Sequence, residues 1–177
     1  NSIDVSYKDD LLTQKGNLRK QYSSSVDMVK GAYLNTEYLG VYLDTDKQAI
    51  KSKKIRKAIN HGFDREKMIL YLRNGIGTPA LNGFIPKGLP SFNNQKGYDY
   101  NPKKAKALVD SYKKESGDEN PSVSINTDSQ YLDLCEFIQR ELEKIGLTVK
   151  IDVMPPSTLR QTKVEGKLSV FRGSWVA

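Results

Sequence analysis

Two stretches of apolar–polar alternation, Ser122-Val123-Ser124-Ile125-Asn126 and Leu147-Thr148-Val149-Lys150-Ile151-Asp152-Val153, flank one long helix-period stripe. No other feature narrows the fold as much. Alternation at period two makes a strand with one buried face. Between the two, Tyr131, Leu132, Leu134, Cys135, Ile138, Leu142 and Ile145 form an apolar stripe, with Glu136, Arg140, Glu141 and Lys144 outside it. This spacing predicts an amphipathic helix from about Ser129 to Ile145. Gly146 followed by apolar Leu147 suits a left-handed, Schellman-type ending. Pro155-Pro156 closes the second strand, Ser157 is expected to cap a helix reaching about Val164, and Gly166-Lys167 turn into a last strand at Leu168–Phe171. Right-handed crossovers would make these three strands neighbours in one sheet covered by helices, an α/β arrangement.

The first half carries weaker signals. Ile3–Tyr7 alternates and reads as a short strand, and Asp9–Leu18 holds a short helix interrupted at Gly16. Tyr22–Lys30 shows no period. Ala32–Leu43 is rich in β-formers, with Gly40 permitting a close backbone approach or a bulge. Ser52–Gly62 reads as a helix buried through Ile55, Ala58, Ile59 and Gly62, and Asp64 can cap a second helix through Leu72 whose inner face is Met68, Ile69 and Leu72. The Gly-, Pro- and Asn-rich stretch 74–100 is too long for an ordinary connection, and Phe84, Ile85 and Leu89 point to an ordered surface excursion. Asn101-Pro102 is a helix start, with Ala105, Leu108, Val109 and Tyr112 on its buried side.

The net charge of +7 is spread over the exposed faces of several helices, with no aromatic RNA-binding signature, zinc-finger spacing or recognition helix beside it, so nucleic-acid binding is not expected. The single cysteine, Cys135, forbids an intrachain disulfide and sits within the apolar stripe as a core thiol. His61, the one histidine, lacks a cysteine or carboxylate at ligand spacing, and there is no nucleotide-binding glycine loop or nucleophile elbow. The sequence is therefore read as non-enzymatic, with no cofactor and no metal site.

The candidate site is the final stretch, Ser169-Val170-Phe171-Arg172-Gly173-Ser174-Trp175-Val176-Ala177, read as a strand passing into a loop. A cation, a glycine, a hydroxyl and the only tryptophan follow one another there, and a pocket needs apolar area with a few placed donors. Composition alone favours Trp175 as a core residue and Arg172 as a surface charge. Ligands of α/β sheets sit beyond the carboxyl ends of strands, where Arg172–Trp175 would fall. A strand-to-loop transition at Ala177 suggests a fragment.

Several landmarks occur in family order. Tyr38–Tyr42 precedes Ile55-Arg56-Lys57-Ala58-Ile59 and Asp64-Arg65. Gly75 to Pro79-Ala80 and Gly83-Phe84-Ile85-Pro86 follow, then Tyr100-Asn101-Pro102-Lys103-Lys104-Ala105-Lys106-Ala107-Leu108, Ile145-Gly146-Leu147-Thr148-Val149 and Trp175-Val176-Ala177. Over about residues 32–177 the chain resembles the extracytoplasmic solute-binding proteins of peptide- and nickel-type ABC importers. The resemblance implies a type II periplasmic-binding-protein-like lobe with a mixed sheet flanked by helices. On this view residues 1–177 are mainly the second, inserted lobe of a two-lobed protein, with the other lobe, the N-terminal lipoprotein signal and the C-terminus absent.

It also implies a binding component, monomeric and lipid-anchored outside the cytoplasm, that captures a short peptide and delivers it to a membrane permease. A non-peptide solute (a metal chelate or a sugar) or a signalling or chaperone-like role is the alternative on the same fold. In such proteins an arginine three positions before the tryptophan often meets the ligand carboxylate, which Arg172 matches, and Trp175 would wall the pocket beside Gly173 and Ser174. Lys163 matches a second cation of some members, as a point charge or merely a surface residue. The acid that holds a peptide's amino group in the family would follow Ala177. Arg56, Asp64 and Arg65 read as structural, through capping and an ion pair at the two-helix hinge.

Overall fold

A four-stranded mixed sheet carries helices on both faces in the computed structural model, which describes residues 8–31 and 33–176. The strand expected at Ile3–Tyr7 lies outside the described residues. The strands are β1 (Asn35–Val41), β2 (Ser122–Thr127), β3 (Thr148–Val153) and β4 (Val170–Val176), in the order β1-β4-β2-β3. The helices are α1 (Lys8–Leu11), α2 (Gln48–Lys51), α3 (Lys53–Gly62), α4 (Arg65–Leu72), α5 (Pro102–Ser116), α6 (Leu132–Glu143) and α7 (Pro156–Val164). β2 pairs in parallel with β3 and with β4, while β1 runs antiparallel along β4.

The chain moves from β2 outward to β3 through α6, then back across β2 to β4 through α7. Right-handed crossovers in opposite directions put α6 and α7 on opposite faces of the sheet. The face toward α6 carries Val123, Ile125, Val149 and Val170, which join Ile50, Ile55, Val109, Ile138 and Leu142 in the core. Leu39 and Val41 of β1 pack against the same core. The opposite face has α7, anchored by buried Leu159.

Local chemistry sets most boundaries. Asn101 accepts from the Lys104 amide at 3.0 Å and Pro102 follows it, while Asp64 accepts from Lys67 at 3.0 Å and Ser52 from Lys54 at 3.2 Å. Gly146, at φ +91°, ends the long helix as a Schellman turn, its amide bonded to Glu143 O at 3.0 Å and that of Leu147 to Leu142 O at 3.3 Å. The expected helix from Ser129 divides into a 3-10 turn over Ser129–Tyr131, capped by Asp128, and α6 proper.

Three expectations are corrected. Ser157 caps nothing: α7 starts at Pro156, with Pro155 at its N-cap and no side-chain bond, because Pro156 already holds helical φ at the first position. Among the described residues Arg56 and Arg65 have no ion-pair partner at the hinge. Arg56 donates to Ile50 O at 2.9 Å, and Arg65 donates to Asn60 O at 2.9 Å while its guanidinium stands 4.4 Å from the Phe63 ring centre. The final segment does not loop out after Phe171. It continues as β4 to Val176, because β1 pairs with it over all seven positions.

The excursion at 74–100 is ordered against the rest. Thr36 Oγ1 donates to Phe84 O at 2.8 Å, Tyr38 and Phe84 meet edge to face at 5.1 Å, and the Asn101 amide donates to His61 O at 2.9 Å. His61 is buried, its Nδ1 2.7 Å from Asp99 O, which makes it a packed imidazole.

Candidate functional site

β2 ends at Thr127, but β4 runs on. Ile125 faces Val170 and Asn126 faces Phe171, after which β4 keeps only β1 as a partner among the described residues. Arg172 is therefore the first β4 residue beyond the parallel part of the sheet. It stands beside the carboxyl end of β2, and open α/β sheets take up ligands outside the carboxyl ends of their strands.

Strand alternation then sorts the candidate residues. Arg172 shares the core-side face with Val170, Ser174 and the β1 residues Leu39 and Glu37, whereas Gly173 and Trp175 share the other face with Phe171, Tyr38 and Thr36. Arg172 and Trp175 are three residues apart and project from opposite faces. Trp175 is 58% exposed, so it is not a core residue, and Ser174 is exposed. Gly173 is buried under Tyr38, with which it is paired. Lys163, from α7, holds its ammonium 5.6 Å from the Phe171 ring centre on the Trp175 face.

The Arg172 guanidinium lies over the Tyr131 ring, 3.1 Å from Cζ to the ring centre, and pairs with the Glu37 carboxylate. Its side chain is only 13% exposed, against 43% for that of Glu37. Asn35 Nδ2 donates to the other Glu37 oxygen at 2.8 Å. Cys135 lies below, its thiol pushed up by burial against the opposing effects of the Thr127 side chain and the Arg172 charge. A thiol held protonated in this way is a poor nucleophile.

Glu37, Asn35 and Tyr131 were not visible as site residues. Tyr131 belongs to the apolar stripe in the sequence, where nothing singles out Glu37 or Asn35. The only hint was an acid on β1, whose register with β4 no local pattern reveals. Elsewhere, a hollow of about 610 Å³ lies on the outer side of α6, lined by Leu72, Phe137 and charged residues that include Arg140 and Lys144. Among the described residues no cluster of three His, Cys, Asp or Glu side chains is placed to hold a metal ion, and no helix is long and apolar enough to cross a membrane.

This architecture recurs in known proteins. Peptide-bound OppA of Listeria monocytogenes superposes with a TM-score of 0.77 at 24% identity, over 88% of this chain and 33% of that one. DppA of Helicobacter pylori in complex with the peptide STSA gives 0.72 at 28% identity, over 82% and 28%. NikA of Brucella suis with Fe(III)-EDTA gives 0.71 at 23% identity, over 82% and 31%, a likeness of fold. In sequence the chain is 23% identical over 145 residues to the glutathione-binding protein GsiB of Salmonella choleraesuis (strain SC-B67), which covers 82% of this chain and 28% of that protein. The chain thus spans 28% of the length of this curated relative. The type II periplasmic-binding-protein-like lobe expected from the sequence is the fold observed. The family model for bacterial extracellular solute-binding proteins, family 5 (middle), matches residues 2–177, and the chain belongs to that family.

Proposed function

We propose that this chain forms mainly the second lobe of the substrate-binding component of an ABC importer, which captures a short peptide between two lobes and hands it to a membrane permease. The observation that carries the reading is the position of Arg172, a largely shielded guanidinium braced on Tyr131 beside the end of the parallel sheet. A planar cation held in place offers a bidentate fork to a carboxylate at low reorganisation cost. From Arg172 onward the β4 edge that faced β2 has no strand partner among the described residues, so the backbone of Gly173 and Ser174 can pair with an extended peptide. Trp175 supplies apolar area at the end of the same strand, and Lys163 is a second cation on that face.

In this reading the protein is a monomer outside the cytoplasm, lipid-anchored, with no chemistry, cofactor or nucleic-acid partner of its own. The peptide assignment accords with a glutathione-binding relative and with neighbours holding peptides, since glutathione is itself a short peptide with free carboxylates. A second reading, a non-peptide polycarboxylate or chelate, is favoured by the likeness to NikA holding Fe(III)-EDTA.

The test uses the full-length mature protein, purified gently and denatured, with the released small molecules identified by mass spectrometry. A heterogeneous set of short peptides is the expected result. One defined non-peptide mass keeps the importer reading and retires the peptide.

A further inference from the structure

The role of Glu37 rests on the reading of Arg172 as the receiver of a ligand carboxylate. Glu37 lies two residues along β1 from Leu39, the register partner of Arg172, and so on the same face of the β1–β4 ribbon. One of its oxygens takes the Arg172 Nη2 and the other takes Asn35 Nδ2. Two buried side-chain polar atoms lack a hydrogen-bond partner among the described residues, Asn35 Oδ1 and Arg172 Nε, and both belong to this trio. Buried polar atoms are nearly always paired, and each one left unpaired carries a desolvation penalty. An unpaired donor and an unpaired acceptor in one cluster mark a place where hydrogen bonding is incomplete until something else arrives. The cation is the shielded partner and the carboxylate covering it the more exposed one, so Glu37 is the member with room to swing away.

We infer that Glu37 is a resident carboxylate that occupies the Arg172 fork and competes with the ligand for it. An incoming carboxylate can take Nε together with Nη2, completing the fork that Glu37 engages through Nη2 alone. A neutral group cannot make that exchange, because it would leave a shielded guanidinium unpaired. Glu37 therefore lowers affinity for carboxylate ligands, whereas a neutral ligand leaves it seated on the guanidinium, so its removal is felt by the acid and not by the amide.

The experiment titrates the full-length protein by calorimetry with two probes, trialanine and its C-terminal amide, in the wild type and in the Glu37→Gln, Glu37→Asp and Arg172→Gln variants. Glu37→Gln should bind trialanine roughly fivefold tighter, the size of a partly exposed ion pair, and bind the amide within about twofold of the wild type. Glu37→Asp, with its carboxylate withdrawn by one methylene, should shift trialanine affinity the same way, and it decides the matter if Glu37→Gln proves unfolded by circular dichroism. Unchanged or weaker trialanine binding in a folded Glu37 variant, with Arg172→Gln erasing the preference for the acid over the amide, overturns the role of Glu37 alone. Equal binding of acid and amide by wild type and Arg172→Gln, or binding of neither probe, overturns the carboxylate reading of Arg172 and this inference with it.

Discussion

The Phe171 ring lies across Gly40, its partner in the β1–β4 register, so closely that a Cβ on Gly40 would stand 2.4 Å from two ring atoms. Two positions along, the exchange is reversed: Tyr38 covers Gly173, where a Cβ would stand 2.6 Å from the ring. Each strand contributes one aromatic and one glycine, and the rings fill the space the glycines leave open, which pins the register that brings Glu37 to Arg172. Gly40→Ala should lose about 1–3 kcal/mol to overpacking, read as a lowered urea midpoint. Gly31→Ala, where nothing lies within 4 Å of the added carbon, is the control and should stay within about 0.5 kcal/mol of the wild type.

The helix caps give a paired prediction. Asn101→Ala removes the acceptor of the Lys104 amide at the start of α5 and should cost about 1 kcal/mol. Ser157→Ala should change stability by less than about 0.5 kcal/mol, since Ser157 makes no capping bond. Thermal unfolding of the two variants side by side checks both.

Replacing Arg172 by alanine removes the guanidinium from the end of the parallel sheet. In the full-length protein a peptide with a free C-terminus should bind roughly 10- to 150-fold more weakly, the range of one charge-assisted hydrogen bond, while its C-terminal amide changes little. Calorimetric titration with both forms measures the difference.

Cys135 predicts a pH dependence. Burial raises its thiol pKa in the folded state, so this residue's contribution to stability is complete below the unfolded thiol value and is lost as pH rises through the folded one. The urea midpoint should decline above about pH 8.5, and Cys135→Ala should flatten that part of the decline. Alkylation of native Cys135 at pH 8 should be far slower than that of the urea-unfolded chain, which a timed iodoacetamide reaction reads directly.

What could be foreseen followed the range of the interactions involved. Asn101, Asp64 and Gly146 were legible because a cap or a left-handed turn involves residues at most five apart. Ser157 misled because Pro156 satisfied the same helix start by a different route. Arg56 and Arg65 were right as structural residues and wrong in partner, since backbone carbonyls at the helix ends hold them where an ion pair was expected. The excursion at 74–100 was foreseen as ordered from Phe84 and Ile85, though its docking on Thr36 and Tyr38 was not.

By itself the sequence determined the α/β alternation, the amphipathic helices with most of their caps, and the placing of Arg172 near the carboxyl end of a parallel sheet. Each follows from periodicity or from cap and turn chemistry between near neighbours. Tertiary structure alone decided that β4 continues to Val176, that Arg172 and Trp175 leave it on opposite faces, and that Glu37 and Tyr131 hold the guanidinium. The physical reason is register. The β4 partner strand lies some 135 residues earlier in the chain, as the Glu37–Arg172 separation shows, and no local pattern records which residue will face which across that gap.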